Sequence, residues 1–249
     1  MALDEALLGY ATGSGHWVFR VYGWSEPTVS FGRHQSAARS YDRFKIHRAG
    51  FGAVRRPTGG RAILHHREVT YSVAAPIADA GDLRGSYAAI NRLLVDGLRS
   101  LGVAAEVAAS VSRATAPNAT PCFDHPSDGE LVVSGKKLVG SAQWRSGTAL
   151  LQHGSILVED DQSTLTSLFS DDPSAPTRLG RSGAAILPVA TLTALLGTAP
   201  AFETVADALT GAVRRQDSAA KPLVIDADLR TAAQALEHRY ADEAWTWRR

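Results

Sequence analysis

The amino-acid sequence predicts an α+β fold of two layers, a mixed sheet with flanking helices and a helical C-terminal tail. Residues 17–158 are crowded with short β-branched and aromatic runs separated by Gly, Pro and Ser turns, the mark of strands. Residues 86–101 break that pattern with apolar side chains at spacings of three and four, the period of a helix. Beyond residue 160 the strand signal fades and helical stretches take over. These shifts divide the chain into a sheet region, 1–170, and a helical portion, 171–249, packed on it within one continuous domain.

Residues 1–9 read as a short helix with Leu3, Ala6, Leu7 and Tyr10 on one face. Residues 17–24 form a strand, Glu26 and Pro27 turn the chain, and 28–31 form a second strand. The stretch 33–50 is basic and irregular. Strands follow at 53–56, 63–66 and 69–75, the first two separated by a turn of Pro57, Thr58, Gly59 and Gly60. In the helix at 86–101 the apolar stripe is Tyr87, Ile90, Leu94, Leu98 and Leu101; Gly102 stops it, and 103–107 supply another strand. Residues 108–120 are small and polar, a loop leading into Pro121 and Cys122. Strands at 130–133, 137–141 and 149–158 come next, the first two joined by a two-residue turn at Ser134 and Gly135. Helices are expected at 163–169, 202–214 and 232–240, and Trp245 and Trp247 require cover.

Composition narrows the function classes. At 45% apolar and 20% charged residues the chain is ordinary for a globular protein, and its formal charge of +1 gives no global field to recruit nucleic acid or an anionic membrane. The apolar runs 73–78 and 183–191 fall short of the roughly 20 residues of a membrane helix. Asp4 and Glu5 at the start depart from the basic-then-apolar plan of a secretory signal, so a cytoplasmic location is expected. The single cysteine excludes an internal disulfide and a thiolate-rich metal cluster.

Five groups of residues have the chemistry of a site. Arg55, Arg56, Thr58, Gly59, Gly60 and Arg61 surround a turn whose glycines let a ligand approach the backbone, with arginines to meet an anion such as phosphopantetheine. The same residues also suit a basic surface turn. His65 and His66 are consecutive on a strand, so one of them faces a cleft, unless both belong to a polar strand end. Cys122 lies in Pro-Cys-Phe-Asp-His-Pro-Ser; a cysteine attacks a thioester as thiolate, and His125 and Lys137 are the local groups to stabilise one. The alternative is an inert core thiol. Lys136 and Lys137 point to opposite sides of a strand, and the inward one is a costly buried ammonium unless matched, with Gly140, Ser141 and Ala142 leaving room for a ligand beside it. A solvent-facing lysine pair is the other reading. Gly154, after His153 in mid-strand, marks either close backbone approach or a bulge.

Their order in the chain resembles the biotin/lipoate protein ligase superfamily. The resemblance rests on Met-Ala-Leu-Asp-Glu-Ala-Leu-Leu at 1–8, Arg-Arg-Pro-Thr-Gly-Gly-Arg-Ala at 55–62, the glycine-lysine segment 135–143 and Gln-His-Gly at 152–154. It implies a fold like the catalytic domains of class II aminoacyl-tRNA synthetases and biotin-lipoate ligases. Within the superfamily the chain looks most like the cysteine-dependent octanoyltransferases. These have Arg-Arg-Pro-Thr-Gly-Gly-Arg where ligases usually carry a third glycine, and a Cys-Phe-Asp-x-Pro-Ser segment matched here by Cys122, Phe123, Asp124, Pro126 and Ser127. Relatives normally carry a strand ahead of the Ala-Leu-Asp-Glu segment, whereas this chain begins inside it.

The resemblance implies a ping-pong acyl transfer with no cofactor and no metal. Cys122 is then the nucleophile and Lys137 the lysine that orients the carbonyl or takes up a proton, while Lys136 is left to the surface. Arg55, Arg56, Thr58, Gly59, Gly60, Arg61, His65, Gly140, Ser141, Ala142, His153 and Gly154 line the substrate site, with backbone amides near Gly140 receiving the oxyanion. The implied donor is octanoyl-acyl carrier protein, and the acceptor a lysine of a lipoyl domain or of the glycine-cleavage H protein; neither nucleic acid nor membrane is a partner. The alternatives are an ATP-dependent lipoate-protein ligase, with a nucleotide phosphate against Arg55 and Arg56, an amidotransferase between carrier proteins, and an acyl-sensing binding module.

Overall fold

The computed structural model describes residues 1–77, 82–108, 130–172, 175 and 189–248. Among these, nine strands form two sheets. The larger sheet is antiparallel throughout. Its order is β1 (Val18–Tyr22), β5 (Glu68–Pro76), β9 (Ala149–Leu157), β8 (Lys136–Ser146), β7 (Leu131–Val133) and β6 (Glu106–Val107). The smaller sheet is mixed, with β2 (Thr28–Phe31) parallel to β3 (Gly52–Arg55) and antiparallel to β4 (Ile63–His65).

Central strands buried on both faces carry apolar residues on both, and each face of the large sheet has its own helices. Tyr71, Val73 and Ala75 pack against Ile90, Leu94 and Leu98 of α4 (Asp82–Ser100). Val205 and Leu209 of a later helix, Phe202–Gln216, join the same cluster. On the opposite face Ala74 and Leu151 meet Leu7, Leu8 and Ala11 of α1 (Ala2–Ser14) and Leu229 of the helix Ala227–Ala241. A second core under the small sheet gathers Val29, Phe31, Ile46, Leu64, Leu165 and Leu168. The predicted mixed α+β fold is therefore the observed one. No helix of the described residues is long and apolar enough to cross a membrane.

The differences from the sequence reading are local. The stretch 33–50, expected to be irregular, holds α2 (Ala37–Ser40) and α3 (Arg43–Arg48). Asp42 caps α3 by accepting from the amides of Phe44 and Lys45, but a helix that buries only Ile46 has no apolar stripe to read. The helix expected at 163–169 is a 3₁₀ helix, Gln162–Leu168. Two unpredicted short helices appear, α5 (Leu192–Leu196) and, after α6 (Phe202–Gln216) and α7 (Ala227–Ala241), α8 (Glu243–Thr246). The loop expected at 108–120, the break expected within 171–181 and parts of two apolar stretches lie wholly or partly outside the described residues.

Two glycines are forced by contact. A Cβ on Gly32 would sit 1.9 Å from the Gly60 carbonyl oxygen, so the end of β2 passes against the turn after β3 only because no side chain intervenes. Strand pairing runs unbroken through Gly154, which lies between Tyr71 and Ser141, and a Cβ there would meet the Gly140 oxygen at 2.5 Å and Tyr71 Cε1 at 2.7 Å. Close approach, not a bulge, explains this residue. Gly154→Ala is expected to lower stability by about 1–3 kcal/mol through overpacking, measured as a shifted urea midpoint at unchanged slope.

Candidate active site

A cavity opens where the two sheets face each other. Arg56, Ile63 and His65 line it from the small-sheet side, and Thr70, Gly140, Ser141, Ala142, His153, Gly154 and Ser155 from the large sheet. The register explains the convergence: Ala142 pairs with His153 and Gly140 with Ser155, so the small residues of β8 lie beside the polar ones of β9.

His65 and His66 divide as consecutive strand residues must. His66 is exposed and pairs with Asp161 at 3.1 Å, whereas His65 is buried and faces the cavity. Trp24 stacks on the His65 ring at 4.2 Å. His65 Nε2 lies 2.8 Å from Ser30 Oγ, which also accepts from Arg56 at 3.0 Å. The His65 Nδ1 lies 3.3 Å from Glu68 Oε1, so the ring is held between a hydroxyl and a carboxylate. Glu68 accepts in addition from the Thr70 and Ser155 hydroxyls, so one buried carboxylate organises three cavity residues.

His153 is arranged in parallel. Its Nε2 is 2.6 Å from Thr58 Oγ1, and its Nδ1, which has no hydrogen-bond partner, lies 4.0 Å from Asp4. Burial lowers the His153 pKa against the pull of Asp4, which keeps the ring neutral at pH 7. Asp4 accepts from Arg20 at 2.7 Å, Ser72 at 2.8 Å and Tyr22 at 2.8 Å. Burial alone would raise its pKa; His153, the terminal ammonium and Arg20 together outweigh that and hold the carboxyl well below the usual range.

The two arginines turn their donors to the protein. All five N–H groups of Arg55 are taken by main-chain carbonyls, those of Gly32 and Gln35 on one side and of Trp245, Thr246 and Arg248 on the other. It fastens the C-terminal tail to the end of β2 and does not line the cavity. Burial, with the charges of Arg248 and Arg56, pushes its pKa down to about 10, so it stays cationic at neutral pH. Arg56 does border the cavity, yet its donors are bonded to Ser30, Gly59 and Arg61 and brace the Pro57 to Arg61 turn from within. In this structure the donors of both arginines are turned to the protein itself. Thr58, Gly59, Gly60 and Arg61 are also absent from the cavity lining; Gly60 adopts φ 90°, the left-handed conformation that glycine tolerates.

Lys136 is exposed and Lys137 is buried. The Lys137 ammonium is 2.6 Å from a Glu130 carboxylate oxygen, a partner that the sequence reading missed. Lys137 is not among the residues that line the cavity. Tyr71 donates to or accepts from Ser141 at 2.7 Å and accepts from Gln152 at 3.0 Å; burial pushes its pKa up to about 12. Cys122, Phe123, Asp124, His125, Pro126 and Ser127 lie outside the described residues. Among the described residues no group of three or more His, Cys, Asp or Glu side chains is placed to hold a metal ion.

Residues 1–214 match the lipoyl protein ligase A/B catalytic domain. The chain belongs to that family. Octanoyltransferase LipM of Kyrpidia tusciae is 39% identical over 260 aligned positions, covering 100% of this chain and 94% of the relative. LipM of Macrococcus caseolyticus is 35% identical with the same coverage of both. A crystal structure of lipoate-protein ligase A bound with ATP superposes with a TM-score of 0.78 at 23% identity, covering 99% of this chain and 92% of that one. The bipartite lipoate protein ligase of Thermoplasma acidophilum gives 0.76 at 23%, covering 99% and 89%. These structural likenesses show that the ligase-family fold is shared.

The carboxylates behind the cavity, Glu68 and Glu130, were not singled out from sequence, and Asp4 appeared there only inside a motif. The one available signal was an acidic residue in a stretch that is otherwise apolar, as at Glu130 before Leu-Val-Val. Two outcomes follow from the geometry. Arg55→Met, which strips five carbonyls of their donor, is expected to cost about 3–5 kcal/mol by urea denaturation, and Arg55→Lys, with three donors in another shape, to recover only part. Because His153 resists protonation when folded, the unfolded chain binds the extra proton, and stability falls as pH drops below the unfolded value of 6.5. Urea midpoints measured from pH 7 to pH 5 should decline less steeply in His153→Gln than in the wild type.

Proposed function

We propose that this chain is a protein octanoyltransferase, an acyltransferase that takes an octanoyl group onto Cys122 and delivers it to a lysine of a lipoyl-type domain. The observation that carries the reading is the likeness to LipM octanoyltransferases along the whole of this chain and 94% of the relative. The Cys-Phe-Asp-x-Pro-Ser segment supplies the nucleophile. Partners are carrier proteins of the acyl-carrier or lipoyl-domain type; octanoyl-acyl carrier protein is the donor we propose, and a lipoyl domain or glycine-cleavage H protein the acceptor.

The reaction exchanges a thioester for an amide and so runs downhill. It requires a thiolate, a positive charge near the reacting carbonyl and donors for the oxyanion. Lys137 is the cation in this reading. The backbone between Gly140 and Ala142 is the donor set: β7 stops at the Leu131–Val139 pair, so among the described residues β8 is paired from Gly140 onward only with β9. The ligase alternative places a nucleotide phosphate against Arg55 and Arg56, whose N–H groups are occupied by protein carbonyls and the Ser30 hydroxyl. A phosphate there would have to take those donors from the protein's own carbonyls; Arg61 and the Cys122 segment are what favour transfer.

Incubation with octanoyl-acyl carrier protein, without ATP, is expected to raise the intact mass of the wild type by about 126 Da as a hydroxylamine-labile adduct, and to leave Cys122→Ser without it. A requirement for ATP and free acid, with Cys122→Ala fully active, would establish the ligase instead.

A further inference from the structure

Among the described residues Lys137 is one of the largest fully buried side chains, and it pairs with Val132 across the hairpin. A flexible four-carbon ammonium in such a place needs a reason to be charged and a reason to point one way. The structure supplies both. Glu130 holds the ammonium at 2.6 Å, and the two side chains are 1% and 5% exposed. The pairing of β7 with β8 skips a residue at this point, Leu131 opposing Val139 but Val132 opposing Lys137. A bulge of this kind turns the strand locally and re-aims a side chain. The Lys137 carbonyl is fixed in turn by the amide of Ala190 at 2.9 Å.

Stability alone does not account for the arrangement. Taking both charges out of water costs about as much as their attraction returns, and an apolar pair would hold a two-residue hairpin at least as well. What the carboxylate adds is a defined position for the ammonium. We infer that Glu130 is a positioning residue of the transfer reaction, fixing the Lys137 ammonium beside the reacting acyl carbon. This rests on the catalytic reading of Lys137 given above.

The bond changes balance without a proton from Lys137. In the first half-reaction the Cys122 thiolate forms a bond to the acyl carbon, the carbon–sulfur bond to the carrier breaks, and the electron pair leaves on the carrier's sulfur. One thiolate is consumed and one produced, so no proton is exchanged with Lys137. In the second, the neutral acceptor amine bonds to the acyl carbon, the pair returns to Cys122 sulfur, and the surplus proton of the nitrogen passes to water. Throughout, a fixed ammonium stabilises whichever sulfur or oxygen carries negative charge.

The test is single-turnover acylation of the full chain by octanoyl-acyl carrier protein, followed by quenched intact mass over a range of donor concentrations. Glu130→Gln keeps the shape and removes the charge; its acylation rate at saturating donor is expected to fall about 100-fold while the half-saturating donor concentration stays within about twofold. Glu130→Asp should recover part of that rate. A purely structural role predicts instead a wild-type rate multiplied by the folded fraction from urea denaturation, and that result overturns the proposal. If Glu130→Gln does not fold, Glu130→Asp decides alone: slowed acylation at unchanged half-saturation supports the assignment and a wild-type rate overturns it. Lys137→Met separates the two layers of argument. Wild-type acylation in Lys137→Met removes the catalytic lysine and with it this inference, whereas an inactive Lys137→Met beside a fully active Glu130→Gln removes Glu130 only.

Discussion

Arg55 and Arg56 put two full positive charges side by side in a place almost without water, and much of the surrounding backbone is arranged to receive them. Arg55 turns toward the C-terminal tail and the loop after β2, Arg56 toward the turn that ends at Arg61 and toward Ser30. Consecutive side chains at the end of β3 leave in different directions, so a single dipeptide reaches both the tail and the turn. Removing either guanidinium strands several carbonyls in the interior, where an unmade hydrogen bond costs its full desolvation. The close pass of Gly32 over Gly60 is possible only within that frame. Trp245 and Trp247 are covered for the same reason: Trp245 donates to the Arg55 carbonyl, and Trp247 packs against Phe31 at 5.2 Å.

With the arginines committed to the frame, the polar chemistry near the cavity is set by carboxylates. Glu68 stands behind His65, Asp4 near His153 and Glu130 against Lys137. Each nitrogen group thus has a buried acid on its far side, which fixes a tautomer, an orientation or a charge. The three acids sit on different elements, α1, the start of β5 and the residue before β7. Of their partners, His65 and His153 line the cavity and Lys137 does not. The site is therefore assembled by sheet register more than by any loop among the described residues.

This division explains what could be read in advance. Strand β2 falls on the predicted residues, and the helix at 86–101 was legible because Ile90, Leu94 and Leu98 recur at its own period. The turn at Ser134 and Gly135 was legible because two positive φ angles favour such residues. The helices α2, α3 and α8 were not, since four to six residues bury too little to leave a pattern. Site chemistry divided in the same way. That one of His65 and His66, and one of Lys136 and Lys137, turns inward follows from strand geometry, but the identity of the partner does not, because Glu68, Asp4 and Glu130 are set by pairings that sequence spacing does not encode. The carbonyls that Arg55 bonds were not legible for that reason: a motif marks that an arginine is needed and is silent on which carbonyls it satisfies.

The same frame carries two chemistries in this family, and the described residues suit one of them better. Activation by ATP asks the site for cationic donors able to follow a polyphosphate as its charge is redistributed. Transfer from a thioester starts from a neutral electrophile; it asks for one stable cation and a few oriented amides where an oxyanion forms. Here the guanidinium donors of the double-arginine turn are closed on the protein's own carbonyls, while β8 beyond Val139 has a sheet partner on one side only and Lys137 is held by Glu130. Fold-level likeness to an ATP-bound ligase at 23% identity is consistent with this, since what is shared is the frame. The donors of Arg55 and Arg56 are spent here on holding that frame together.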